Sequence, residues 1–244
     1  MLRFTPYPLA VIFALILCSS ATGQITSVGP PEAIQSNSNG GVLDEVSLVI
    51  LDVTFDNSDP QNNIITATLT GDINFTPQEG LLNAGYALNT GFELTVGQFP
   101  VHLFNVAFIA DGKLVNGGGT FNAPFTDLQI FAGLNQVNPN LFVTGVGLGE
   151  QITGNGFEYV QGSPLMAPYV LAAGETYHFG IGMLLDIETV GLFNDPTSVV
   201  SHEFGGASAF DGYKLQVLAR AVPEPASVAL LGLGGLVLMW RRVD

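Results

Sequence analysis

Alternation of apolar and polar residues is the feature that most limits how this chain can fold. From Ile65 to Phe75 the apolar set is Ile65, Ala67, Leu69, Ile73 and Phe75, and the polar set is Thr66, Thr68, Thr70, Asp72 and Asn74. A period of two is typical of a β-strand with one buried face. Similar alternation recurs at 92–96, 128–132, 177–185 and 215–219. Helical periodicity is nearly missing, and only Gly80 to Leu88 could form a helical turn or two.

Turn-forming residues divide these runs into the strands of an all-β domain. Glycines cluster at 117–119, 145–149 and 154–156, and prolines recur between the runs. Between Val46 and Phe55 the apolar phase shifts, which fits a bulge or burial on both faces. Val101 to Ala110 is apolar on both faces and is predicted as a central strand, followed by a two-residue hairpin turn at Asp111-Gly112. We predict one antiparallel β-sandwich of jelly-roll type over residues 42–220, after a flexible lead-in at 24–41.

The chain is acidic and sparsely charged. Its formal net charge is -15, and charged residues make up 11% of the sequence. Between the two termini the only basic residues are Lys113, Lys214 and Arg220, which are too few to neutralise phosphates along a groove. This pattern excludes nucleic acid as a partner. The single cysteine, Cys18, lies inside a predicted signal, so we expect no disulfide, thiolate metal site or cysteine nucleophile in the exported protein.

The N-terminus predicts a cleaved secretion signal over residues 1–23. Arg3 precedes an apolar run from Leu9 to Leu17, and Ala21-Thr22-Gly23 places small residues where a signal peptidase inspects them. We predict cleavage between Gly23 and Gln24. An uncleaved anchor is the alternative, but the apolar run is about half of the roughly 20 residues needed to cross hydrocarbon. A lipoprotein signal is disfavoured because Leu17, before Cys18, is large.

The C-terminus, residues 221–244, predicts a short membrane anchor behind a stiff recognition element. Pro223-Glu224-Pro225 must be extended, because each proline fixes its own φ and restricts the residue before it. The apolar stretch from Ala226 to Trp240 would form a transmembrane helix only about 22 Å long, at 1.5 Å per residue. Arg241-Arg242 would hold its end on the cytoplasmic side.

These features resemble the PEP-CTERM sorting signal of bacterial proteins, also described as the ice-binding protein C-terminal domain. The resemblance implies an exosortase, a membrane cysteine protease, as partner and delivery to the cell surface or an extracellular polysaccharide matrix. It places recognition at Pro223, Glu224 and Pro225 and retention at Arg241 and Arg242. Val243 and Asp244 follow the arginines, a slight departure, and an ordinary tail anchor with a proline-rich stalk is the alternative.

The domain between the two ends carries no catalytic motif. There is no nucleophile elbow, no phosphate-binding loop after a strand and no pair of histidines at ligand spacing. His102, His178 and His202 are far apart in the sequence and are interpreted as structural or surface residues. Asp186 and Glu188 share one face of a predicted strand, but a solvated acidic strip explains them as well as a glycosidase pair does. We therefore predict no enzyme, no cofactor and no metal.

Two polar segments have alternative interpretations. Asp56-Asn57-Ser58-Asp59 offers oxygens suited to calcium, but it lacks the EF-hand pattern and its residues are also turn formers. The row from Thr66 to Asn74 could be an ice or sugar platform, but it occurs once, and threonine is favoured on any wet strand face.

Three functions remain open for the domain. The first is a structural or adhesive domain of a surface or matrix protein. The second is a lectin-like glycan-binding module, with or without calcium, using Phe157, Tyr159 and Tyr169 in glycine-rich loops, with extracellular polysaccharide as partner. The third is a polysaccharide hydrolase with scattered carboxylates. The predicted partners are otherwise the membrane and the exosortase.

Overall fold

The structure, a computed structural model, describes residues 24–59, 62–78, 83–118, 125–137, 140–142, 157–164, 169–188, 199–205 and 210–221. In these ranges the chain forms strands and one short 3₁₀ helix, Val46–Leu48. The strands are β1 (Ile25–Val28), β2 (Gln35–Asn39), β3 (Gly41–Asp44), β4 (Ile50–Asp59), β5 (Asn62–Thr70), β6 (Asp72–Pro77), β7 (Asn83–Val96), β8 (Val101–Gly118), β9 (Phe125–Val137), β10 (Asn140–Phe142), β11 (Phe157–Pro164), β12 (Tyr169–Leu171), β13 (Thr176–Glu188), β14 (Val199–Glu203) and β15 (Gly212–Ala221).

The strands form two antiparallel sheets that pack face to face. Sheet A has the order β1-β7-β13-β9-β10, with β2 also paired to β7. Sheet B has the order β3-β6-β14-β8-β15-β5-β4, with β11 and β12 also paired to β8. One continuous core lies between the sheets, and Phe75 of sheet B packs on Tyr86 of sheet A with ring centroids 5.6 Å apart. The predicted all-β antiparallel sandwich is confirmed.

In sheet B, pairs of shorter strands lie end to end and together occupy the place of one long strand. β6 and β5 lie end to end, with β3 paired to β6 and β4 paired to β5 on their outer edge. β14 and β15 also lie end to end, and both pair with β8. The break after β14 lies beside the break between β5 and β6, since the backbone N–H of Phe204 donates to the carbonyl of Gly71 at 2.9 Å. From β7 onward the chain alternates between the sheets: β7, β9 with β10, and β13 join sheet A, and β8, β11 with β12, and β14 with β15 join sheet B.

The period-two pattern in the sequence corresponds to the buried face of the sandwich. Ile65, Ala67 and Leu69 of β5 and Ile73 and Phe75 of β6 are at most 1% exposed, while the threonines between them are half-buried on the outer face. Burying an isoleucine, leucine or phenylalanine side chain stabilises the fold by about 1.5–3 kcal/mol. Gly71 occupies the inward position between Leu69 and Ile73, so the alternation of inward and outward residues continues from β5 into β6.

Four local predictions are wrong. The lead-in at 24–41 forms β1 and β2, because main-chain pairing to β7 and burial of Ile25 order a segment that is otherwise polar. The described part of Gly80 to Leu88, the one segment that could have formed a helical turn or two, belongs to β7. Asp111-Gly112 lies inside β8, which continues because Lys113 and Leu114 pair with both β14 and β11. The phase shift after Val46 marks the 3₁₀ helix that separates β3 from β4.

Several predicted features lie outside the described residues. These are the signal over 1–23 with Gly23, the recognition element Pro223, Glu224 and Pro225, the apolar helix, and Arg241 and Arg242. Across the ranges that the structure describes, no helix has the length and hydropathy that a membrane crossing requires.

Candidate functional site

The three histidines lie in three different strands. His102 is in β8, His178 in β13 and His202 in β14, and only His202 is fully buried. Nowhere in the described ranges do three histidine, cysteine, aspartate or glutamate side chains approach one another closely enough to hold a metal ion. The sequence interpretation of the histidines as structural or surface residues corresponds to one buried position, His202, and two partly exposed positions, His102 and His178.

His202 is the centre of a buried polar cluster between the sheets. The hydroxyl of Tyr86, in β7, is hydrogen-bonded to His202 Nδ1 at 2.5 Å, and the hydroxyl of Tyr213, in β15, is hydrogen-bonded to His202 Nε2 at 2.9 Å. The ring of Phe204 packs edge-on at 5.1 Å between centroids. Burial disfavours the charged imidazole and lowers the pKa of His202 to about 3, so the ring is neutral at neutral pH. Because His202 and both tyrosines are at most 2% exposed, the cluster links β7 of sheet A to β14 and β15 of sheet B inside the core.

The segment that could suit calcium is the end of a β-hairpin. Asp56 and Asp59 end β4, and a bulge separates them where β4 pairs with β5. Asp56 Oδ1 accepts the backbone N–H of Ser58 at 2.9 Å, and Asp59 Oδ2 accepts the Asn62 amide at 2.6 Å. Hydrogen bonds from Ser58, first from its backbone N–H, hold the pKa of Asp56 below its ordinary value. These are the local bonds that make aspartate and asparagine favourable in turns.

The threonine row lies on the outer face of sheet B and is not repeated beside it. Thr66 and Thr68 face Thr54 and Asp52 on β4, and Gln216 and Lys214 on β15. This mixed surface differs from a flat threonine ladder. The sequence interpretation as a wet strand face describes the arrangement.

The aromatic residues proposed for glycan stacking lie in strands rather than in loops. Phe157 and Tyr159 belong to β11, and Tyr169 belongs to β12, where it packs partly buried against the core. The expectation that Phe157, Tyr159 and Tyr169 sit in glycine-rich loops is therefore wrong.

Asp186 is exposed on the outer face of sheet A, two positions before Glu188 in β13.

The outer face of sheet A gathers polar and aromatic side chains over a floor of glycine. In β13 the outward residues include His178, Gly180 and Gly182, and Gly180 pairs with Gly91 of β7 and Gly133 of β9. Three glycines thus lie side by side on three neighbouring strands. On this surface, which we call the A face, the side chains on either side of the glycine row are His178, Asn89 and Phe131, and Glu32 lies beside His178.

On one side of the row, His178 leans across β7 towards the segment between β1 and β2. Its Nε2 lies 3.2 Å from Glu32 Oε1, and the two side chains are 28% and 42% exposed. The imidazole occupies the space where a methyl group on Gly91 would lie, so only glycine permits this position. Glu32 is held in turn, because its backbone N–H donates to Gly91 and its carbonyl accepts the Thr90 hydroxyl.

On the other side of the row, two side chains lie over Gly182. A methyl group added to Gly182 would come within 2.5 Å of both Asn89 Oδ1 and Phe131 Cζ. The Phe131 ring is partly buried and the Asn89 amide is exposed. An aromatic ring, an amide and a histidine–carboxylate pair therefore converge on one shallow surface, a combination that suits a ligand with both apolar faces and hydroxyl groups.

Sequence reasoning missed the A face because its residues come from four distant segments. Each residue alone is an ordinary outward position of a strand, and only the register of β7, β13 and β9 places them together. The available signal was weak: glycine at alternate positions in 180–182, where a strand normally has side chains to pack.

The C-terminal end of the chain matches a described family of sequence motifs. The molecule is an acidic β-sandwich whose last strand, β15, runs into the tail at Ala221. Residues 221–243 match the family described as the PEP-CTERM protein-sorting motif. The chain therefore carries a PEP-CTERM sorting motif, a signal recognised by exosortases, and this tail implies export and sorting at a membrane.

No curated protein matches the chain. Among solved structures, it is similar to the family 11 carbohydrate-binding module from Clostridium thermocellum in complex with a β-1,3-1,4-mixed-linked tetrasaccharide, with 9% identity, coverage of 80% of this chain and 96% of that one, and a TM-score of 0.22. It is also similar to a CBM4 protein, with 13% identity, coverage of 75% and 95%, and a TM-score of 0.18. A structure of infectious bursal disease virus Gx strain gives 9% identity, coverage of 83% and 60%, and a TM-score of 0.23. Scores at this level indicate no ligand for this chain.

Proposed function

We propose that this is an exported protein of the cell surface or extracellular matrix whose β-sandwich is a structural or adhesive domain. The observation that carries the proposal is the match of residues 221–243 to the sorting motif, directly after β15. The role is non-enzymatic, and turnover of any member of a polysaccharide panel would overturn that part. The alternation of successive strands between the sheets supports a jelly-roll connection for the domain.

Replacing Glu224 with alanine tests the sorting part of the proposal. In a host that carries an exosortase, we expect Glu224→Ala to accumulate in the membrane at precursor length, because the recognition element has lost its only charge. Glu158→Ala is the matched control, since it removes an exposed glutamate that pairs with Lys113 at 3.0 Å, far from the tail. Membrane fractionation with size analysis measures both variants. Normal surface delivery of Glu224→Ala would contradict the proposal.

A second candidate function is glycan binding at the A face. It is favoured by the position of the Phe131 ring and Asn89 amide over Gly182, beside the His178–Glu32 pair. Aromatic faces pack on the apolar faces of sugar rings, and amide and imidazole groups bond their hydroxyls. The net charge of -15 favours a neutral glycan over an anionic one.

Glycan-array binding of the full-length protein, with calcium and with chelator, tests this candidate. We expect Phe131→Ala to weaken the binding of any neutral glycan that the protein retains by about tenfold, corresponding to about 1.4 kcal/mol. The control is Phe104→Ala, since Phe104 is a 50% exposed aromatic residue in β8 of the opposite sheet. Equal losses in the two variants, or no binding on the array, would remove the candidate.

A further inference from the structure

The first and last described residues of the chain lie at the same end of the sandwich. Ile25 pairs with Val96 at the end of β7, and its backbone N–H donates to Asn63 Oδ1 at 2.9 Å. Asn63 pairs with Ala219 in β15, two residues before Ala221. Gln24 and Ala221, which lead to the two predicted membrane-directed segments, are therefore close neighbours in the fold.

The turns at this end form one continuous surface, which we call the tail end. It contains Gln24, the turns 97–100 and 172–175, and Ala221. The Gly97 N–H donates to the carbonyl of Gln24 at 2.9 Å, and the Gly174 N–H donates to the carbonyl of Gly97 at 2.7 Å. Ala221 pairs with Val101, directly after the first of these turns.

The tail end carries charges of both signs. The turn 97–100 reads Gly-Gln-Phe-Pro and the turn 172–175 reads Ala-Ala-Gly-Glu, so Glu175 is the only ionisable side chain in the two turns. Arg220, one residue before Ala221, adds a positive charge that stacks 3.8 Å from the Phe104 ring centroid. The β4–β5 hairpin lies at the same end, since Arg220 Nε donates to Asn62 Oδ1 at 3.0 Å, and it adds the carboxylates of Asp56 and Asp59. The chain connection of the tail end, rather than its charge, therefore directs it towards the membrane.

We propose that the tail end faces the lipid surface in the membrane-held precursor, so that the sandwich stands on its C-terminal connection with its far end directed away from the membrane. The partner of this surface is the headgroup layer around the anchoring tail. The inference rests on the proposed function, because it requires the tail to be membrane-held.

Chain length sets how far the tail end can rise above the membrane. Four residues lie between Ala221 and Ala226, where the apolar stretch begins, and the five Cα–Cα steps span at most about 18 Å even when fully extended. Pro223 and Pro225 make this connection semi-rigid. The far end, marked by Asn39 of β2, pairs with Gly85, which lies 96 − 85 = 11 residues from Val96 along β7. At about 3.3 Å per residue, the two ends are roughly 36 Å apart.

Fluorescence quenching by spin-labelled lipid tests the orientation. The Glu224→Ala protein from Gln24 onward, which lacks the predicted signal and with it Cys18, is reconstituted into vesicles that contain a headgroup-nitroxide lipid. A fluorophore is attached through Ala173→Cys or Gln98→Cys at the tail end, or through Asn39→Cys at the far end; all three positions are exposed. Matching circular dichroism spectra confirm that the variants are folded.

We expect quenching at positions 173 and 98 to exceed quenching at position 39 at least threefold. Equal quenching in protein that floats with the vesicles, or stronger quenching at position 39, would overturn the orientation while leaving membrane anchoring intact. Failure of the protein to float with the vesicles would overturn the orientation and the proposed function together, so the two failures are distinguishable.

Discussion

His202 links the stability of the sandwich to pH through a single buried ring. Its pKa is about 3 in the folded protein, against 6.5 for the ordinary imidazole. Between these values the unfolded chain binds a proton that the folded chain does not. The His202 contribution to stability is therefore fully present above pH 6.5 and is lost as the pH falls towards 3.

We expect the free energy of unfolding to fall by up to about 1.4 kcal/mol per pH unit within this range through His202 alone. In His202→Phe that part of the slope disappears, and loss of the two tyrosine–histidine hydrogen bonds lowers stability at neutral pH by about 0.5–1.5 kcal/mol each. Tyr213→Phe retains the His202 imidazole, so it should keep the pH dependence of stability while the free energy of unfolding falls by about 1 kcal/mol at neutral pH. Urea unfolding at a series of pH values measures all three proteins. An unchanged slope in His202→Phe would refute the linkage.

The sequence analysis interpreted His202 as a structural or surface residue but did not identify its role. One partner, Tyr86, is 116 positions away and the other, Tyr213, is 11 positions away. No local pattern marks which polar groups will meet between two sheets. The same holds for His178 and Glu32 on the A face, whose contact depends on the absence of a side chain at Gly91.

At the level of elements, β1 is an edge strand that main-chain pairing to β7, burial of Ile25 and one buried amide hold in place. Asn63 is 3% exposed, and its Oδ1 accepts the Ile25 backbone N–H. We expect Asn63→Ala to leave that N–H unsatisfied, at a cost of about 1–3 kcal/mol concentrated in β1. Hydrogen exchange should therefore accelerate at residues 26–28 and stay unchanged in the centre of β13.

Asn62→Ala is the matched control for this variant. The Asn62 side chain contacts Asp59 and Arg220 instead, so its loss should leave exchange in β1 as in the unsubstituted protein. Equal protection of β1 in Asn63→Ala and Asn62→Ala would show that the amide does not hold the strand.

Some elements could be predicted from sequence and others could not, for a common reason. Strands such as β5, β6 and β13 have one buried face, and burial imposes a period of two on their residues. β2 is exposed along its whole length, so its Gln-Ser-Asn-Ser-Asn sequence carries no such pattern, and only main-chain pairing to β7 creates it. The Asp111-Gly112 turn prediction failed because turn preference is local, whereas the pairing of β8 is with distant strands.

On the scale of the whole molecule, the two termini were easier to interpret than the domain between them. The recognition element, apolar stretch and basic pair act as linear segments, so their order in the sequence carries the signal, and the match at 221–243 confirms the sorting motif. The fold class followed from periodicity. The A face did not, because it is a property of three-strand register, and no single segment contains it.

The position of β15 determines how the domain responds to load. This strand is flanked on both sides, by β8 along 212–221 and by β5 along 213–220, and it is the strand that continues into the tail. Tension applied at Ala221 along the strand therefore acts on two ladders of hydrogen bonds in shear, and they must yield together rather than one at a time. A domain tethered in this way resists being pulled apart from its anchor far better than one tethered through an edge strand.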